Sequence, residues 1–137
     1  MITTREFNKE IVPKKLTDLR VTAKDRANIL VDLTVMSRQV GYSISKKVSQ
    51  FGINYNLWQV LVTLWSGHAV TPSAVAQHLQ VEPATISRYL DQLESLEYIT
   101  RDRSKIDRRV VDVVLTSKGN KAVKAGLKEL DEFSKFI

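Results

Sequence analysis

Apolar side chains at Ile29, Leu33, Met36, Val40, Ile44 and Val48 recur every three or four residues. That spacing draws one stripe along a helix and predicts a long helix over residues 24–49. Phe51-Gly52 ends it, with Gly52 suited to a left-handed C-terminal position. Asn54 is an N-cap residue for a second helix, Tyr55 to Trp65, which buries Leu57, Val60, Leu61 and Leu64. Ser66-Gly67 stops that helix. Thr71-Pro72 combines a capping hydroxyl with a proline at the first helical position, opening a short helix from Ser73 to Leu79. Three residues later Pro83 opens a fourth helix that reaches about Glu97. Ile86, Leu90 and Leu93 form its inner stripe, and Ala84, Thr85, Arg88, Gln92 and Ser95 lie opposite.

The period then changes. Tyr98 to Arg101 reads as a short strand, and Val110 to Leu115 is β-branched and strand-like. Between them runs a nine-residue charged loop, Arg101 to Arg109, with five positive and two negative side chains. Thr116 or Ser117 caps a last helix, Lys118 to Phe136, with Val123, Leu127 and Leu130 as its stripe. Residues 1–23 read as an N-terminal arm with one short helix, Thr4 to Val12, because Pro13 breaks any longer run. Residues 24–137 make a single domain, mainly α with a small β-hairpin. Two short helices joined by a tight turn, the second amphipathic and followed by a hairpin, are the order of a winged helix-turn-helix, here residues 54–116.

Composition narrows the chemistry. In 137 residues, 43% hydrophobic content supports a packed core. The absence of cysteine removes disulfides, thiolate zinc sites, thiol nucleophiles and thiol redox sensing. Only two histidines occur, His68 and His78, with no carboxylate cluster near them, so no metal and no cofactor is expected. His78 is also a candidate phosphate contact. There is no G-x-S-x-G nucleophile motif and no glycine-rich phosphate loop, which argues against an enzyme. The net charge of +6 is uneven. Residues 1–53 carry ten positive and five negative side chains, residues 54–81 none, and residues 82–119 seven of each. The uncharged stretch holds asparagine, glutamine, histidine and proline and is no membrane span. The charged N-terminus has no signal-peptide character, so a cytoplasmic location is expected.

The run Val70-Thr71-Pro72-Ser73-Ala74-Val75-Ala76-Gln77-His78-Leu79, then Val81-Glu82-Pro83-Ala84-Thr85-Ile86-Ser87-Arg88-Tyr89-Leu90-Asp91-Gln92-Leu93-Glu94, resembles the helix-turn-helix of the MarR/SlyA family. So does the hairpin ending in Asp107-Arg108-Arg109 with the following Val113-Val114-Leu115-Thr116-Ser117-Lys118-Gly119. The resemblance covers about residues 25–130. It implies a homodimeric transcriptional regulator, commonly a repressor, acting on double-stranded DNA at a pseudo-palindromic operator. The helices over 24–49 and 117–137 would hold the dimer. Many members release DNA when a small aromatic compound binds.

Carried onto this chain, the recognition helix is Pro83 to Glu97. Thr85, Ser87 and Arg88 match base or phosphate contacts, with Pro83 and Ala84 at its entrance. Arg103, Lys105, Arg108 and Arg109 are the wing contacts, and Asp107 orients a neighbouring arginine. Tyr55, Trp58 and Trp65 are candidates for an effector pocket, weighed against ordinary core packing. The chain departs from the family pattern at Gln80 and at Glu97-Tyr98, where glycine and glycine-leucine are usual. It ends 18 residues past Gly119, so the usual final helix of the dimer clasp is expected to be missing. A second reading makes the winged helix a protein-interaction module that pairs with a longer regulator.

Overall fold

The computed structural model describes residues 22–103 and 111–131. The chain divides into two units, Met1–Gln39 and Val40–Ile137. One helix, α1 (Ala23–Val48), begins in the first and ends in the second. Its start is a reciprocal capping box. The Asp25 backbone N–H donates to the Thr22 hydroxyl (3.1 Å), while the Asp25 carboxylate accepts from the Thr22 hydroxyl (2.7 Å) and backbone N–H (3.2 Å). A short 3-10 turn, Ser49–Phe51, follows, and Gly52 closes it in the left-handed region as the sequence predicts.

In the second unit, α2 (Tyr55–Ser66) is the central element. Leu57, Trp58, Val60, Leu61 and Leu64 are all buried along it. Asn54 caps it by accepting from the Leu57 N–H at 3.0 Å. Helix α3 (Pro72–Leu79) starts at Thr71, whose hydroxyl accepts from the Ala74 N–H. Helix α4 (Pro83–Ser95) buries Ile86, Leu90 and Leu93. Strands β1 (Ile99–Arg103) and β2 (Val111–Leu115) pair antiparallel with Ile99 opposite Leu115 and Arg103 opposite Val111. The Val113 N–H also donates to the Val70 carbonyl at 2.8 Å, tying the α2–α3 connection to the hairpin. Helix α5 (Ser117–Glu129) is capped by the Thr116 hydroxyl.

Except at the end of α5, the sequence boundaries hold to within a few residues, with two informative differences. Helix α4 stops at Ser95 rather than Glu97. The Tyr98 N–H bonds the Leu93 carbonyl and the Glu97 N–H bonds the Glu94 carbonyl, a Schellman ending that requires Glu97 to be left-handed (φ 64°). Gln80 ends α3 in the same way at φ 57°, with Val81 bonded back to Ala76. Both positions are ones where the family pattern has glycine, and the backbone keeps the glycine conformation without the residue.

The second difference is the face of α5. Leu127 was expected inside but is 39% exposed. The buried face is Gly119, Ala122, Val123 and Gly126, a stripe of small residues. These let α5 approach closely. A Cβ at Gly119 would lie 2.1 Å from the Tyr98 carbonyl oxygen, and one at Gly126 2.3 Å from the Trp58 ring. The last helix also ends earlier than expected, at Glu129 with Leu130 as its C-cap rather than at Phe136, where the Leu130 N–H bonds the Gly126 carbonyl and closes the final turn. The arm over residues 1–21, the expected helix Thr4 to Val12 and residues 132–137 lie outside the described residues.

Candidate nucleic-acid interface

Helix α4 presents two different faces. Ile86, Leu90 and Leu93 are fixed in the core, so Ala84, Ser87, Arg88, Asp91 and Gln92 are turned outward. Pro83 at the first helical position supplies the right φ and removes one N–H that would have no helical partner. Pro83 and Ala84 are exposed and Thr85 is half-buried. The Arg88 guanidinium donates to the Thr85 hydroxyl at 3.3 Å, so this arginine is held near the helix start. The site therefore offers an exposed first turn, a hydroxyl at Ser87 and an oriented cation at Arg88.

The charged hairpin is not one uniform cationic cluster. Arg101 and Arg103 belong to β1 rather than to the loop. The Arg101 guanidinium folds back onto α4, paired with Asp91 and with Glu94 at 3.3 Å. The hydrogen bonds it donates, first to Glu94 and then to Asp91, hold its pKa above the ordinary arginine value. Two acidic residues of α4 are thereby compensated by the base of the hairpin. The net positive loop of Arg101 to Arg109 is correspondingly smaller, because its first arginine is spent internally. Arg103 is the last residue of β1, opposite Val111. Lys105, Asp107, Arg108 and Arg109 lie outside the described residues.

Sequence reasoning overlooked both Arg101 and Tyr98. The pairing of Arg101 had a signal, since Asp91 and Glu94 are one turn apart on α4. Tyr98 had none. It is buried, its hydroxyl donates to the Phe51 carbonyl at 2.5 Å, and burial raises its pKa. Lys118 lies 5.2 Å over its ring and donates to the Leu96 carbonyl at 3.0 Å. Together these contacts fix where α4 hands over to β1.

The three aromatic residues considered for an effector pocket have separate surroundings. Tyr55 is half-buried, beside Gly41, and its hydroxyl accepts from the Gln59 amide at 2.8 Å. Trp58 is in the core against Gly126. Trp65 is 43% exposed and borders an open groove of about 430 Å³ with Leu64, Val114, Leu115 and Asn120.

A family model described as the MarR family matches residues 53–111. The transcriptional regulator PrsX of Escherichia coli is 34% identical over 95 residues, which is 67% of this chain and 57% of PrsX. The structure of AbfR of Staphylococcus epidermidis superposes with a TM-score of 0.74 at 25% identity, covering 80% of this chain and 75% of that one. The chain belongs to the MarR family. A complex of Staphylococcus aureus MepR with DNA is also similar, with a TM-score of 0.69, 26% identity and coverage of 76% and 77%. The chain spans a little over half the length of PrsX. The family and these relatives are transcriptional regulators, not enzymes. The MarR match begins at Ile53 and ends at Val111, so it contains α2, α3, α4, β1 and only the first residue of β2. It therefore includes all the candidate DNA contacts, and it includes Gln80 and Glu97, where this member keeps the backbone bend with larger side chains. Among the described residues no helix is long and apolar enough to cross a membrane.

Proposed function

We propose that this MarR-family protein is a homodimeric regulator that reads double-stranded DNA with the first turns of α4. The exposed start of α4, with Arg88 held by Thr85, carries the reading. A helix of this kind enters the major groove with its N-terminal residues at base edges. Thr85, Ser87 and Arg88 supply hydroxyl and guanidinium groups there, beside Pro83 and Ala84. Arg103, Lys105, Arg108 and Arg109 act on phosphates or the adjacent minor groove, with Asp107 orienting an arginine among them. An aromatic effector, on this reading, stacks at Trp65, which borders the groove.

The dimer rests on a different observation. Leu30, Val31, Leu33, Val35 and Met36 of α1 are between 40% and 60% exposed. Five clustered apolar side chains on one helix need a cover in water. A second copy of the chain supplies it and produces the two-fold symmetry that a pseudo-palindromic site mirrors.

Selection of bound duplexes from a random pool tests the whole reading. The expected product is a palindrome with half-sites one helical turn apart. Arg88→Ala should lower affinity for that sequence by roughly tenfold or more, the worth of one good base contact. Recovery of no preferred sequence, with no gel shift of any duplex, would overturn it and favour pairing with a longer regulator.

A further inference from the structure

His68 and His78 are ten residues apart, one in the turn after α2 and the other in the last turn of α3. The structure brings them side by side. Their ring centres are 5.2 Å apart, with the planes tilted by 35°, and both side chains are exposed.

The contacts around Ser66 engage one nitrogen of His68 and leave the other free. The Ser66 hydroxyl donates its single hydrogen to the Thr63 carbonyl at 3.1 Å. It lies 2.6 Å from His68 Nδ1, a contact the ring N–H can donate while the hydroxyl hydrogen goes to Thr63. In the tautomer that makes this donation, Nδ1 carries the proton and the Nε2 lone pair is bare. A ring N–H held by an oxygen while the other nitrogen stays bare is the arrangement that orients metal-ligating histidines.

The ring separation agrees with a shared ion. An imidazole nitrogen sits roughly 2 Å from zinc, which puts the ring centre roughly 3.2 Å from it, and two tetrahedral ligands then have centres roughly 5 Å apart. We propose that His68 and His78 form a two-imidazole site for a nitrogen-seeking divalent transition-metal ion of the zinc and nickel class. Residues 54–81 carry no Asp, Glu, Lys or Arg, so this segment offers neutral nitrogen donors and no hard oxygen cage. That donor set selects against calcium and magnesium. Among the described residues no third His, Cys, Asp or Glu joins the pair. The remaining coordination positions belong to water or to a second molecule. Ser66 is a positioning residue that acts through the His68 tautomer.

These are the only two histidines in the chain and there is no cysteine, so imidazole coordination is unambiguous in the untagged protein. Titration of the untagged chain with Zn²⁺ or Ni²⁺, followed by calorimetry and by ¹⁵N-histidine spectra, tests the proposal. One equivalent per chain is expected, with both imidazole spin systems perturbed together. His68→Ala and His78→Ala should each weaken binding at least about tenfold, and Ser66→Ala by about tenfold with loss of the Nδ1–H preference of His68. Calcium should leave both rings unchanged. Wild-type affinity in either histidine variant would overturn the site. So would an Nε2–H tautomer at metal-free His68, or zinc binding that leaves both rings unperturbed.

Discussion

At Gln80 and Glu97 the backbone takes a conformation that favours glycine, and larger residues occupy it. Both are held there by Schellman hydrogen bonds, Val81 to Ala76 and Tyr98 to Leu93, each 3.0 Å. A left-handed residue with a Cβ costs roughly 1–2 kcal/mol, of which glycine's greater unfolded-state entropy returns a part. Gln80→Gly and Glu97→Gly should therefore each stabilise the protein by about 0.5–1 kcal/mol. Urea denaturation checks this through a higher midpoint at unchanged slope. The sequence marked both positions as departures from the family pattern, but not whether the turn had changed with the residue. Only the φ angles decide that. The reverse applies to Gly119. Its Cβ would sit 2.1 Å from backbone at Tyr98, which cannot rotate away, so Gly119→Ala should lower stability by about 3 kcal/mol or more. Thermal melting measures that loss.

Helices and strands reveal a second kind of information. Caps and stripes were legible because each needs only local spacing: Asn54, Thr71, Thr116 and the Ile86–Leu90–Leu93 face all behave as read. The face of α5 was not, because a hydrophobicity reading favours Leu127 over Gly126. What decides is the Trp58 ring, which fits only where there is no side chain. Arg101 belongs to this scale too. Its side chain is 24% exposed and its partners more so, so the cluster contributes under about 1 kcal/mol. Its main effect is on charge placement. If the wing contacts phosphates, Arg108→Ala should reduce the salt slope of DNA binding by about one, and Arg101→Ala should leave it unchanged. Equal slopes for the two variants would reject the division. At the other end of the chain, Asp25 is held below its ordinary carboxyl pKa of 3.8, first by the Thr22 hydroxyl and then by the Thr22 N–H. A depressed carboxyl pKa contributes fully above the unfolded value and is lost as pH falls through the depressed one. The first turn of α1 should thus fray in acid below about pH 4, and Asp25→Asn should reproduce the fraying at neutral pH. Amide exchange at residues 23–28 reports both.

At the scale of the molecule, the charge is segregated. The excess lies in residues 1–53, while the span that holds α4 and the hairpin is balanced, and Arg101 shows how part of that balance is made. The apolar surface is segregated too. Val48 and Ile44 at the end of α1 join the core, whereas Leu33 and Met36 of the same stripe are exposed. One periodicity in the sequence thus served two environments, and the pattern alone could not say where one gave way to the other. If that exposed segment is the dimer face, Leu33→Glu with Met36→Glu should convert the protein to a monomer in light scattering. Its melting should then no longer depend on concentration. The His68–His78 pairing was likewise illegible, since it depends on how the turn after α2 meets the end of α3.

The two tryptophans stand seven residues apart on α2, one enclosed against Gly126 and the other 43% open to water. They are therefore two emitters with different colours and different access to a collisional quencher. Iodide or acrylamide should extinguish the red-shifted component from Trp65 and spare the blue-shifted one from Trp58. If an aromatic effector enters the groove, its arrival will be visible in the first, and loss of the core in the second, within a single emission spectrum and without any added label.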